Sequence, residues 1–190
     1  MQAAILRLHD SLSCTNYRGD QHTHIVVEET DRLATLKKVT LSAPSGDWFS
    51  FTPDKGRGRG NSAKMSSLLA TGPKHHHHRA CDSVIIILNN GRLQVLYIDL
   101  KSGNPDGYSG QFKSTRQFVR YALGLLSEFY NETFTAPEER YVVLYGGKKQ
   151  LLAKKPTVPQ SNKIARSRPD AAFKLEVANN TQLFLKQLLD

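Results

Sequence analysis

At 190 residues and a net charge of +9, with a pI near 9.6, the chain is large enough for one proper core and basic enough to favour a polyanionic partner. Its two cysteines, Cys14 and Cys81, exclude a disulfide framework and a cysteine-based zinc site. It holds no apolar run long enough to span a bilayer, and Met1 to Leu8 is too short and too charged nearby for a signal peptide, so a cytoplasmic protein is expected.

The first part of the chain is weakly patterned. His24-Ile25-Val26-Val27-Glu28-Glu29-Thr30 reads as a helix or a strand carrying two carboxylates. Ala34 to Leu41 reads as a strand or a short helix. Asp47-Trp48-Phe49-Ser50-Phe51, bounded by Pro44-Ser45-Gly46 and Pro53-Asp54, reads as a strand and a candidate for the first strand of the core. Gly56-Arg57-Gly58-Arg59-Gly60 is cationic, but no strand leads into it and no Gly-Lys-Ser/Thr ends it, so it lacks the context of a phosphate-cradling loop. It reads as a nucleic-acid-facing loop or as a plain linker. Lys55, Lys64, Lys74 and Arg79 extend its charge. Four adjacent histidines, His75 to His78, cannot all face one ion on a fixed backbone. They read as an exposed loop, with one histidine near enough to Asp82 to approach a phosphate or a metal.

A hairpin follows. Asp82-Ser83-Val84-Ile85-Ile86-Ile87-Leu88 and Leu93-Gln94-Val95-Leu96-Tyr97-Ile98-Asp99 flank Asn89-Asn90-Gly91-Arg92. Asn-Gly between two apolar runs signals a type I′ turn, which needs φ > 0 at both central residues. That register pairs Asn89 with Arg92 and sets Asp82 opposite Asp99, on one face with Lys101. Two facing carboxylates repel each other. A hard cation such as Mg²⁺ or Mn²⁺ turns the repulsion into coordination and can activate a bound water against a phosphoryl group. The lysine can orient that water or balance developing charge.

Ser102 to Ser109 is a loop of turn-forming residues. Gln111 to Tyr130 is predicted to be an amphipathic helix, with Phe112, Phe118, Val119, Ala122, Leu125, Leu126 and Phe129 at helical spacings and Gln117 and Tyr121 one turn apart. Gln111, Lys113, Arg116 and Arg120 make its start polar and basic. Arg140 to Tyr145 reads as a buried strand closed by Gly146-Gly147. Pro156 to Pro169 reads as a basic loop, within a second basic stretch that runs from Lys148 to Arg168. Ala172 to Val177 alternates like a strand, and Thr181 to Leu189 reads as a terminal amphipathic helix. Pro169-Asp170 followed by Glu176 imitates the Asp82/Asp99 pattern but lacks a lysine two residues on, where Ala178 stands.

Asp82, then Asp99-Leu100-Lys101, then Gln117-Phe118-Val119-Arg120-Tyr121 on a following helix resembles the PD-(D/E)XK nuclease superfamily. The helix is similar to the Gln-x-x-x-Tyr motif of its RecB-like members. The resemblance covers about Cys81 to Tyr130, and Cys81 stands where many members have proline. It implies a single α/β domain over residues 1–190. A mixed central sheet flanked by helices would form a restriction-endonuclease-like core at about 45–150, with a strand and a helix at 171–190. It implies Asp82 and Asp99 as metal ligands, with the Leu100 carbonyl, and Lys101 beside the attacking water. Gln117, or its rival Gln111, would steady the lysine or the DNA backbone. Glu28 or Glu29 takes the place of a glutamate that many members carry before the first core strand. Lys113, Arg116, Arg120, Tyr121, Arg57 and Arg59 would contact nucleic acid.

The expected activity is metal-dependent hydrolysis of phosphodiester bonds, DNA favoured over RNA, in a setting such as restriction or anti-phage defence, with a regulatory partner or a homo-oligomer. A non-catalytic nucleic-acid-binding subunit and an RNA-cleaving toxin are the alternatives.

Overall fold

The computed structural model describes residues 1–55, 64–72, 74–134, 136–147 and 161–189. After helix α1 (Ala3–Asp10) come strands β1 (Thr15–Arg18), β2 (His24–Glu28), β3 (Lys38–Ser42) and β4 (Trp48–Phe51). The hairpin strands are β5 (Ser83–Asn89) and β6 (Arg92–Lys101), followed by helix α2 (Ser109–Tyr130) and β7 (Glu138–Gly147). A short helix α3 (Ser161–Ala165), β8 (Phe173–Ala178) and β9 (Thr181–Phe184) complete the order.

Six strands form a mixed sheet in the order β1-β4-β5-β6-β7-β8, and β2-β3-β9 form a smaller one. The large sheet is antiparallel from β1 to β6 and parallel from β6 to β8. The change of sense falls where α2 lies, because parallel neighbours need a long crossover and a helix provides it.

The hairpin has the register that its turn dictates. Asn89 pairs with Arg92 and Ser83 with Ile98, and Asn90 and Gly91 have φ of 50° and 75°. Both faces of β5 and β6 are buried, which accounts for their near-continuous apolar sequence. Val84, Ile86, Val95 and Tyr97 pack with Ile5 and Leu8 of α1 and with Phe112, Val119 and Leu126 of α2. Ile85, Leu96, Ile98 and Leu100 pack on the other face with Ile25, Val27, Val39 and Leu41 of the small sheet. Each such aliphatic side chain contributes about 1.5–3 kcal/mol by burial.

The molecule is thus α/β with a mixed sheet, as expected, but its long helix lies on one face only. The small sheet covers most of the other. The terminal helix expected at Thr181 to Leu189 is a strand followed by a 3-10 turn at Leu185–Leu188. Nine residues are too few for a helix that stands on propensity, whereas β9 lies parallel to β3 and pairs Val39 with Thr181 and Ser42 with Phe184. The segments around His24 and Leu41 resolve as strands for the same reason: they pair with each other. Helix α1 and strand β1 had no sequence expectation, and helix α3 stands inside Pro156 to Pro169, which was expected to be a loop; Ile164 is buried in the core there and anchors the turn of helix. Among the described residues no helix is long and apolar enough to cross a membrane.

Candidate metal and nucleic-acid site

Four of the expected residues meet where β5 starts, β6 ends and α2 begins. The ladder stops at Ser83 and Ile98, and beyond it the Asp82 carboxylate accepts the N–H of Leu100 at 2.5 Å. Asp99 points to the helix-covered face and is fully buried. The Lys101 Nζ lies 2.8 Å from Asp99 Oδ2 and donates to Gln111 Oε1 at 2.8 Å. Gln111 therefore holds the lysine. Gln117 does not: it stands further along α2 with its side chain exposed. Leu100 lies between the two site residues of β6, its side chain buried against the small sheet.

Burial dominates the electrostatics. It pushes the Asp99 carboxyl up to about 6, against the opposing pull of the Lys101 ammonium, and Glu29 adds to the rise. Burial also raises Asp82 well above the usual carboxylate range, the charge of Asp99 raises it further, and the Leu100 N–H opposes both. Cys81 is buried beside them. Desolvation, then the charge of Asp99, raise its thiol, so it stays protonated and inert. Thr115 of α2 accepts the Cys81 N–H at 3.1 Å and ties the strand entrance to the helix.

Asp82 opens on a cleft of about 510 Å³ that Glu28, Glu29, Asp54, Lys55 and Tyr17 also line. Both candidate glutamates thus face the cleft from the end of β2, a strand, not a helix. Glu29 is the one whose charge acts on both aspartates. Its Oε1 accepts the Asp31 N–H at 2.9 Å, and the loop behind it is pinned twice. Ser102 Oγ accepts the N–H groups of Thr35 at 2.7 Å and Leu36 at 3.2 Å. Asn179 Oδ1 accepts those of Lys37 and Lys38, both at 3.0 Å.

The donor chemistry fits a small hard cation. Asp99 Oδ1 is a buried oxygen without a hydrogen-bond partner, beside a second carboxylate, and Mg²⁺ commonly takes one or two carboxylates and keeps several waters. Among the described residues no group of three or more His, Cys, Asp or Glu side chains is disposed to hold a metal, so the fit concerns the carboxylate pair alone.

The basic candidates divide. Lys113 and Tyr121 of α2 are exposed. Arg120 instead reaches Glu139 at 3.6 Å, and Arg116 lies against the Tyr141 hydroxyl. Glu139 pairs with Val95 and Lys101 with Tyr145, so this cluster stands six residues, about 20 Å, from the lysine. There Glu139 accepts hydroxyl bonds from Tyr97 at 3.3 Å and Tyr141 at 2.7 Å. Their rings stack at 4.8 Å, so Arg116 and Arg120 reach a polar cluster away from the lysine, toward the middle of α2. Arg57 and Arg59 lie outside the described residues.

The histidine run is structural. His76–His78 form a 3-10 turn on α2, and the His77 carbonyl accepts the Ser114 hydroxyl. His78 is buried; its Nδ1 accepts the Met65 N–H at 3.0 Å, and its Nε2 lies 2.9 Å from the Ala70 carbonyl. Asp170 and Glu176, the imitating pair, are both exposed.

Sequence reasoning missed Tyr17, Asn16, Asp54, Ser102 and Asn179. They come together only through pairing between distant strands, and no local spacing marks them. Comparison of the chain with known protein families, with curated proteins and with solved structures finds no match.

Proposed function

We propose that this chain is a metal-dependent nuclease that hydrolyses phosphodiester bonds, with DNA as its favoured substrate. The observation that carries the reading is the Lys101 ammonium, held at 2.8 Å from both the Asp99 carboxylate and the Gln111 amide, next to a buried, unpartnered carboxylate oxygen. The order of hairpin, helix and parallel strand around that point also supports a restriction-endonuclease-like core. Asp82 and Asp99 would hold Mg²⁺ or Mn²⁺. When bound, such a cation supplies a water of lowered pKa and neutralises charge on the phosphoryl oxygens. Lys101 positions the attacking water and balances charge that develops on phosphorus oxygens. Gln111 fixes the direction of the ammonium. The pinned loop behind Glu29 keeps a further carboxylate beside the pair.

Cleavage of supercoiled plasmid, linear duplex, single-stranded DNA and RNA with Mg²⁺, Mn²⁺ or EDTA tests this. Metal-dependent cutting is expected, abolished in Asp99→Ala and Lys101→Ala. Gln111→Ala should slow single-turnover cleavage by about 10- to 100-fold, the usual cost of losing a residue that orients a site group, and Gln117→Ala should slow it much less. Absence of cutting on every substrate, with salt-sensitive binding retained by the variants, rejects the enzyme and leaves a nucleic-acid-binding subunit.

A further inference from the structure

The cleft beside Asp82 is an acidic notch in a basic chain. Among the described residues Glu28, Glu29, Asp54 and Asp82 line it against one lysine, Lys55, although the chain carries a net charge of +9. A sugar–phosphate backbone drawn to the chain is repelled by those walls. A neutral base is not, and a carboxylate is a natural acceptor for an exocyclic amine, as Glu and Asp are for cytosine N4. At about 510 Å³ the cleft has the size of a small-molecule site and is far too small for a duplex.

Its lining has what an unstacked base needs. Tyr17 is the aromatic side chain there, half-buried and held by a T-shaped contact with His22 at 5.4 Å. The Glu28 side chain has no hydrogen-bond or ion-pair partner among the described residues. Lys55 also lines an adjoining cavity of about 200 Å³ with Lys64. Lys55 is thus shared by the cleft and the second cavity, and Lys64 continues the positive charge away from the cleft, along a path that phosphates flanking an inserted base would take.

We infer that this cleft is a base pocket for single-stranded nucleic acid: it takes one unstacked, amino-bearing nucleobase, stacked on Tyr17 and bonded through its amine to Glu28, with flanking phosphates over Lys55 and Lys64. Only the further step, delivery of a neighbouring phosphate to Asp82 and Asp99, rests on the nuclease reading. The substrate is then a single strand or a frayed end, and intact duplex is a poor one.

Fluorescence anisotropy of the full chain in EDTA, where no cleavage occurs, tests the pocket with labelled oligo-deoxycytidine, oligo-deoxythymidine of equal length, and a blunt duplex. Oligo-deoxycytidine should bind about fivefold or more tighter than oligo-deoxythymidine, the scale of one good base contact, and the duplex should bind weakest. Tyr17→Leu, which keeps the packing but not the ring, should weaken oligo-deoxycytidine binding by about 5- to 100-fold, the range for one stacked base. Tyr17→Phe should restore it, and Glu28→Gln should narrow the ratio between the two strands. Equal affinity for the two strands, unaltered binding by Tyr17→Leu, or duplex bound as tightly as oligo-deoxycytidine overturns the inference. Cleavage that requires Asp99 alongside such a result would leave the nuclease reading intact. A working pocket on a chain that cuts nothing would do the reverse.

Discussion

The Asp99 carboxyl, pushed up from 3.8 to about 6 mainly by burial, binds its proton more tightly in the folded chain than in the unfolded one. The folded state therefore carries the excess proton between those values, and stability falls as pH rises through them. Above the window the cost is on the order of 3 kcal/mol, and Asp82, raised by burial and by Asp99, adds to it with the same sign. In EDTA, scanning calorimetry should show a Tm that declines from about pH 4 to about pH 7, with a shallower decline in Asp99→Asn. Mg²⁺ at neutral pH should raise the wild-type Tm and leave that of Asp99→Asn nearly unmoved. A wild-type Tm that climbs across the window would contradict the buried charge. The register up to Ser83 and Ile98 was legible because a single Asn-Gly turn fixes every pair in its hairpin. Gln111 was harder to choose over Gln117, since both lie on α2 and the residue at which that helix starts, Ser109, decides which glutamine stands beside Lys101.

At the scale of elements, the strand ends depend on backbone that few residues tolerate. Gly146 closes β7 at φ 120°, and a Cβ there would stand 2.8 Å from the Val177 carbonyl. Gly91, in the hairpin turn at φ 75°, has open space around it. Gly146→Ala should cost about 1–3 kcal/mol, and Gly91→Ala about 1–2 kcal/mol. Urea unfolding should show both as a lower midpoint at unchanged slope, with Gly146→Ala the larger loss. The same ladders explain which elements the sequence betrayed. β5, β6, α2, β7 and β8 carry their own period or turn signals. β9 was read as a helix because Leu183, Phe184, Leu185, Leu188 and Leu189 mimic helical spacing, while the β3 edge that recruits it lies far away in sequence.

For the whole molecule, the relevant property is an uneven distribution of charge: a chain of net charge +9 whose candidate site is walled by carboxylates. The positive surface should supply affinity without sequence preference. The logarithm of single-strand affinity should therefore fall linearly with the logarithm of salt, by about 0.7 for each phosphate contacted. Lys64→Ala should lower that slope by about one such step and weaken all sequences alike in anisotropy titrations. An unchanged slope would remove Lys64 from the phosphate path. The alternation of strand and helix patterns along the chain made the α/β class legible. It did not show the second sheet, whose strands come from widely separated parts of the chain. That sheet also has a consequence for synthesis. Gln182 of β9 bonds Ser42 of β3 across 140 residues, and Asn179 holds the loop that follows Glu29. At ribosomal speeds of about 5–20 residues per second, the wait is on the order of ten seconds. For the part of that wait that follows the synthesis of Asp99, the nascent chain holds Asp82 and Asp99 without the strand and the clasp that complete the small sheet. A growing polypeptide therefore carries the two aspartates before their surroundings are whole, and the strand that completes the small sheet is made only after every other strand described here.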